Sequence, residues 1–177
     1  MSWITTQSGK HFDFNNISSD SICIEDIACA LSNLCRFTGH VQDFYSVAQH
    51  SVHVSYLVPP TFALDALLHD AAEAYIGDCV SPLKALLPDY QEIEKRVELA
   101  VTKRFGIRTL GKWPEVKLAD LIMLATERRD LDLDDGTPWP ILEGIAPAPF
   151  ILSPLNPRQS RVLFLQRFYD LNGGNHD

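Results

Sequence analysis

The stretch Leu67-Leu68-His69-Asp70-Ala71-Ala72-Glu73 places three ionisable groups among leucines and alanines. Burying such groups is costly unless they are paired or bound to a metal. Adjacent residues on a helix project about 100° apart, so His69 and Asp70 flank one ion only from the rim of a pocket, whereas His69 and Glu73 share a face. A lone His-Asp pair is commonly the wet edge of a helix, and the same letters at His176-Asp177 carry no such meaning. Two further positions single out the first pair. His50 interrupts the run Val47 to Val52 and Asp120 interrupts Lys117 to Ile122, each where an apolar stripe leaves a polar residue in need of a partner. Two imidazoles and two carboxylates from three helices make a mixed nitrogen and oxygen cage for a divalent transition ion such as Co²⁺, Mn²⁺, Zn²⁺ or Fe²⁺. Its remaining positions would hold water and substrate.

Positioning these residues requires helices, and the hydrophobic pattern predicts them. Ile24, Ile27, Ala28, Leu31, Leu34 and Cys35 recur at helical spacing. Ser46 and Gln49 fit a capping box for a helix running towards Leu57 and ended by Pro59-Pro60. Thr61 caps the next, which carries His69, Asp70 and Glu73 to Gly77; apolar residues on more than one face predict that this is the buried central helix. A short helix follows Ser81-Pro82 and breaks at Pro88, and a longer one opens at Asp89 with Glu92 and closes at Gly106. Glu115 to about Leu131 form the helix of Asp120, and Asn156-Pro157 begins the last. Residues 1–14 read as a hairpin turning at Gly9, and residues 132–153, rich in Pro, Gly and Asp, as an ordered surface loop. The expected fold is all-α, one compact helical bundle over residues 1–177 with a short N-terminal β-hairpin.

The composition agrees with a single domain: 177 residues, 46% hydrophobic and 21% charged. A formal charge of −8 repels nucleic-acid backbones, so no nucleic-acid polymer is expected as partner, while a small anion is acceptable once a metal neutralises the site. Four Cys without a C-x-x-C motif, and no basic-then-apolar segment before Gly9, predict reduced thiols in the cytoplasm. No window reaches the roughly 18 uncharged apolar residues of a membrane span. Trp113, Trp139 and Phe150, read as exposed, predict a homo-oligomer.

In their order along the chain, His50, His69-Asp70 and Asp120, with Glu73, Gly77-Asp78, Ser81-Pro82-Leu83-Lys84 and Lys117, resemble the HD superfamily of metal-dependent phosphohydrolases. Within it they are most similar to bacterial 5′-deoxynucleotidases and small phage dATP triphosphohydrolases. The resemblance runs from Ser8-Gly9-Lys10-His11-Phe12 through Leu34-Cys35-Arg36-Phe37 to Thr126-Glu127-Arg128-Arg129-Asp130. It implies an HD-domain fold in which His50, His69, Asp70 and Asp120 hold one divalent cation, Co²⁺, Mn²⁺, Zn²⁺ or Mg²⁺. It further implies Glu73 as the acid/base residue, Arg36 and Lys84 as phosphate contacts, and Asp78 at the sugar side of the catalytic pocket.

Physical chemistry agrees with these roles. A phosphate ester needs its charge neutralised and a water made nucleophilic at neutral pH, and a bound metal does both. Arg36 offers a planar fork to phosphate oxygens, and Lys84 or Lys117 a compact point charge. Phe37 stands where some relatives carry Trp, and either ring would pack against the sugar C2′ and exclude a ribose hydroxyl. The implied activity is hydrolysis of the 5′ phosphoester of free 2′-deoxynucleotides, by analogy those of deoxyadenosine, with orthophosphate leaving a monophosphate or triphosphate leaving a dNTP. The competing readings are a non-catalytic HD module that binds nucleotide or metal, and an HD hydrolase of another nucleotide.

Other features are read as structural. His53 lies three residues after His50 outside the resembling pattern, and His40 lies on a loop near Arg36. The Asp-rich run from Asp130 fails as a calcium loop, because its Gly is seventh and Ile141 stands twelfth where Glu is required. Cys23, Cys29 and Cys35 are read as small core residues, and Glu127, Arg128 and Arg129 as a salt-bridged helix end.

Overall fold

Two short strands begin the chain in the computed structural model, which describes residues 1–173; His176-Asp177 lie outside them. Strands β1 (Trp3–Thr5) and β2 (His11–Asp13) pair antiparallel with Ile4 opposite Phe12. Phe12 is the buried strand residue and stacks on Tyr75, so the hairpin seals one end of the core. Its turn is tied down by buried Asp26, which accepts hydrogen bonds from the Ser8 N–H and hydroxyl, both at 2.7 Å, and from the Cys23 thiol at 3.0 Å.

Among the described residues eight α-helices follow: α1 (Ile24–Asn33), α2 (Val47–Tyr56), α3 (Ala63–Leu67), α4 (Glu73–Ile76), α5 (Ser81–Lys84), α6 (Pro88–Phe105), α7 (Pro114–Asp130) and α8 (Pro157–Leu171). The chain is therefore mostly helical with a small N-terminal hairpin, as expected. The Ser46 hydroxyl accepts the Gln49 N–H at the start of α2, and Asn156 with Gln159 completes a full capping box on α8. At α2 the box is only half made. The Gln49 side chain turns away to donate to the Ser153 carbonyl at 2.8 Å and to accept from the Leu155 N–H at 2.8 Å. Tertiary partners outcompeted the local cap.

Two expectations need correcting. The central buried helix is α2, which packs against α1, α3, α7 and α8 and buries Val47 through Val52. Small side chains such as Ala48 and Ser51 let neighbours approach it from every side.

The helix expected over 61–76 is broken. Residues 68–72 form turns between α3 and α4, with i to i−3 bonds such as Ala71 N–H to Leu68 O. The cause is local: His69 Nδ1 sits 2.7 Å from the Ala66 carbonyl, the acceptor a regular helix would offer to the Asp70 N–H.

The segment 132–153 does more than cover the surface. It is strapped along α7, Arg128 donating to Asp134 and the Thr137 carbonyl and Arg129 to the Ala148 and Phe150 carbonyls. Those arginines are engaged within the chain.

The core has two clusters. One gathers Phe12, Ile27, Leu31, Val52, Leu68, Val101 and Phe164, the other Tyr45, Val54, Val116, Ala119 and Met123, and α2 and α3 contribute to both. The site lies where these shared helices meet α7. Among the described residues no helix is long and apolar enough to cross a membrane.

Candidate metal centre and its cavity

Four segments converge on the site. Helix α2 supplies His50, the turn after α3 supplies His69 and Asp70, α4 opens with Glu73, and α7 supplies Asp120. A short 3₁₀ turn, Arg36–Gly39, brings Arg36 alongside. It is held there by an isolated bridge between Cys35 and Ser46, with the Arg36 N–H donating to the Tyr45 carbonyl at 2.9 Å. Phe37 and Thr38 in this turn occupy left-handed backbone, φ +56 and +51, each at a cost of about 1–2 kcal/mol. Such strain persists only where surrounding contacts hold it in place.

Both imidazoles are anchored through Nδ1. His50 Nδ1 lies 2.6 Å from Glu127 Oε1 and His69 Nδ1 lies 2.7 Å from the Ala66 carbonyl. A carbonyl and an ionised carboxylate only accept, so each Nδ1 carries a proton and each Nε2 is the nitrogen left to face a proton or a cation. The two Nε2 atoms are buried and have no hydrogen-bond partner. His50 Nε2 stands 3.1 Å from Asp120 Oδ1, and His69 Nε2 stands 3.1 Å from Asp70 Oδ2. Lone pairs facing carboxylate oxygens at that range repel unless a proton or a cation lies between them. His50, His69 and Asp120 each offer a ligand atom within 4.8 Å of the others and could bind a metal ion. Asp70 stands beside that group without being one of its three members, its Oδ2 3.9 Å from His50 Nε2. Carboxylate oxygen together with imidazole nitrogen whose outer Nδ1 is anchored is the donor chemistry of a divalent transition-metal site.

The electrostatics point the same way. Burial and the Arg36 charge oppose a proton on His50, yet Glu127 and Asp120 outweigh them and raise its pKa to about 9. Burial likewise opposes a charge on His69, and Asp70 raises it. The carboxylates thus draw positive charge to the point where the ring nitrogens meet. Glu73 behaves oppositely. Burial, then the charges of Asp70 and Asp78, push its pKa well above the ordinary carboxylate range, and one of its oxygens is buried without a partner. Asp78 is raised too, chiefly by burial.

A cavity of about 980 Å³ opens over these groups. Its lining includes the polar residues Arg36, Asp70, Glu73, Asp78, Lys84 and Asp120 and the apolar residues Phe37, Leu121, Leu124, Leu133, Trp139 and Ile141. The loop bearing Asp78 is pinned to α6 by Tyr90 donating to the Gly77 carbonyl, and Lys84 is held there by Glu94 at 2.6 Å. Nine of the ten expected site residues meet here. Lys117 does not: it is exposed on α7 outside the cavity lining, so Lys84 is the lysine that can meet a ligand.

Glu127 is the functional residue that the sequence reading missed. It is salt-bridged as expected, but to Arg36 and His50, and it is fully buried beneath the site. Its spacing held a signal, for it follows Asp120 by seven residues and so shares its helix face. Trp113, Trp139 and Phe150 also need correction. All three are half-buried, with Trp113 against Phe62, Trp139 against Arg128 and Phe150 stacked on His53, so they carry no argument for subunit contacts. His53 is thereby structural. His40 is exposed at the cavity rim, and Cys23, Cys29 and Cys35 are half-buried free thiols instead of core residues.

Comparison with known proteins adds kinship. The uncharacterized protein YfdR of Escherichia coli strain K12 is 54% identical over 173 residues, 97% of each chain. An uncharacterized protein of Rhodobacter capsulatus is 33% identical over 161 residues, 79% of this chain and 82% of its own. No family model matches the chain.

Proposed function

We propose that this chain, which belongs to the same family as YfdR of Escherichia coli, is a metal-dependent phosphohydrolase of the HD type that cleaves the 5′ phosphoester of free 2′-deoxynucleotides. The observation that carries the reading is the convergence of two Nδ1-anchored imidazoles on Asp120 and Asp70 at the floor of a cavity edged by Arg36 and Lys84.

In this reading His50, His69, Asp70 and Asp120 hold the ion, and two nitrogen donors favour Co²⁺, Mn²⁺ or Zn²⁺ over Mg²⁺. A divalent cation there supplies Lewis acidity to a phosphoryl oxygen and to water. Such a cation would answer the carboxylates of Asp70 and Asp120, which face the ring nitrogens at 3.1 Å, and would leave Arg36 and Lys84 free to meet a phosphate.

The protein's own groups do the rest. Arg36 presents a buried, unpartnered Nε–H as a donor for a phosphate oxygen. Glu73, whose protonated form is favoured by burial, is suited to hand a proton to the leaving 5′ oxygen. Asp78 faces the sugar, Phe37 crowds its C2′ position, and the wall of Leu121, Leu124, Trp139 and Ile141 takes the apolar face of the base. The volume suits a nucleotide, within the roughly 300–1,000 Å³ of small-molecule sites. Adenine is the preferred base by analogy with the phage enzymes the sequence resembles.

The test is hydrolysis of all four dNMPs and dNTPs and the matching ribonucleotides, with Co²⁺, Mn²⁺, Zn²⁺ or Mg²⁺, following orthophosphate and triphosphate separately. Orthophosphate from dNMPs marks a 5′-deoxynucleotidase, and triphosphate from dATP a triphosphohydrolase. Metal binding without turnover of any of them overturns the enzymatic reading in favour of a non-catalytic module.

A further inference from the structure

We propose that Glu127 is a positioning residue that couples the two working ends of the site, holding the His50 ring and the Arg36 guanidinium with one carboxylate. The inference rests on the phosphohydrolase reading, in which His50 is a metal ligand and Arg36 a phosphate contact.

Glu127 is 0% exposed and is not among the residues lining the cavity, so it acts through others. Its Oε1 takes the His50 Nδ1–H at 2.6 Å and its Oε2 takes an Arg36 Nη2–H at 3.0 Å. The three residues come from α2, α7 and the 36–39 turn, and span 91 positions of sequence. A buried carboxylate is costly unless its oxygens are paired, and these two partners offset that cost. Each partner is oriented in return. The bond to Nδ1 fixes the tautomer that leaves the Nε2 lone pair towards Asp120, and the bond to Nη2 fixes the plane of the Arg36 fork.

The arrangement needs two acceptors, which makes it testable by a substitution that keeps shape and volume. In Glu127→Gln one oxygen becomes an NH₂. With the amide oxygen towards His50, the NH₂ confronts the Arg36 guanidinium, donor against donor. With the amide reversed, the NH₂ confronts Nδ1, whose proton must move to Nε2, the nitrogen that faces the metal. Neither orientation serves both ends.

The experiment uses the full chain and Co²⁺ alone, without substrate, in titration calorimetry. We expect Glu127→Gln to weaken Co²⁺ binding by about 10- to 100-fold, the usual effect of removing an outer hydrogen-bond partner of a ligating histidine. With dNMP substrates at saturating Co²⁺, KM should rise as well, reporting the loosened Arg36. Two-bond ¹H–¹⁵N correlation in the Zn²⁺-loaded wild type supplies a readout that does not depend on the variant folding. His50 should carry its proton on Nδ1 and the metal on Nε2, and metal on Nδ1 overturns the proposal. Wild-type Co²⁺ affinity and KM in Glu127→Gln also overturn it and leave the phosphohydrolase reading standing. Failure of the wild type itself to bind Co²⁺ or Zn²⁺ overturns that reading, and this inference with it.

Discussion

Gly111 lies directly against His69: a β-carbon at position 111 would come within 2.9 Å of His69 Cβ. The loop after α6 therefore backs a residue whose ring must be held to present Nε2. Gly111 sits at φ +63 and Gly106 at φ +65, but a β-carbon at 106 would meet nothing within 4 Å. The pair separates backbone strain from contact. Gly106→Ala should cost about 1–2 kcal/mol from left-handed strain alone. Gly111→Ala should cost more and also weaken Co²⁺ binding, read by thermal unfolding and calorimetry; equal costs with unchanged metal affinity would show that the contact does not position His69.

Removing a ligand differs from removing the acid/base group. His69→Ala and Asp70→Ala should abolish both bound metal and hydrolysis, and metal content by atomic absorption checks this. Glu73→Gln should retain the metal and lower kcat by about 10² to 10⁴-fold. Full activity in Glu73→Gln would reassign proton handling, Asp78 being the neighbouring carboxyl whose protonated form burial also favours.

Phe37 lines the cavity, with the Arg36 guanidinium 5.2 Å from its ring centroid. Phe37→Ala should narrow the ratio of kcat/KM for deoxy- over ribonucleotides by admitting the 2′ hydroxyl. An unchanged ratio would remove the ring as a steric gate.

Acid stability should depend on a carboxylate outside the cavity lining. Burial opposes the charge on Asp26, yet hydrogen bonds from the Cys23 thiol and from Ser8 outweigh it and hold its pKa below the ordinary aspartate value. A lowered folded pKa contributes stability above the unfolded value near 3.9, and that stability is lost as pH falls through the folded value. Asp26→Asn should therefore cost roughly 2 kcal/mol at pH 7, the scale of a hydrogen bond to a charged group. The difference from wild type should shrink in acid. Denaturant unfolding at several pH values measures this, and a difference independent of pH would mean that the charge is not what ties the hairpin turn to α1.

Much of the site was legible because its residues break patterns that are otherwise local. His50, His69, Asp70 and Asp120 each interrupt an apolar run, and a buried polar residue announces a need for a partner whichever way the chain folds. The caps at Ser46 and Asn156 and the hairpin turn at Gly9 were equally readable, since a cap or turn is decided within four residues. Where a side chain found another partner, near or far, the local rules failed. Gln49 left its cap for Ser153 and Leu155, and the His69 ring took the carbonyl that would have continued its helix.

The sequence by itself determined the helical architecture and the chemical types gathered at the site, because side-chain periodicity and polarity act within a turn or two of chain. Only the tertiary structure decided that α2 is the central helix, that Trp139 and Ile141 wall the cavity, and that Glu127 lies beneath His50. Glu127 and His50 are 77 residues apart, and their 2.6 Å contact exists only because α7 docks on α2. Helix docking is set by the summed packing of two whole faces, a quantity that no single residue or local spacing records.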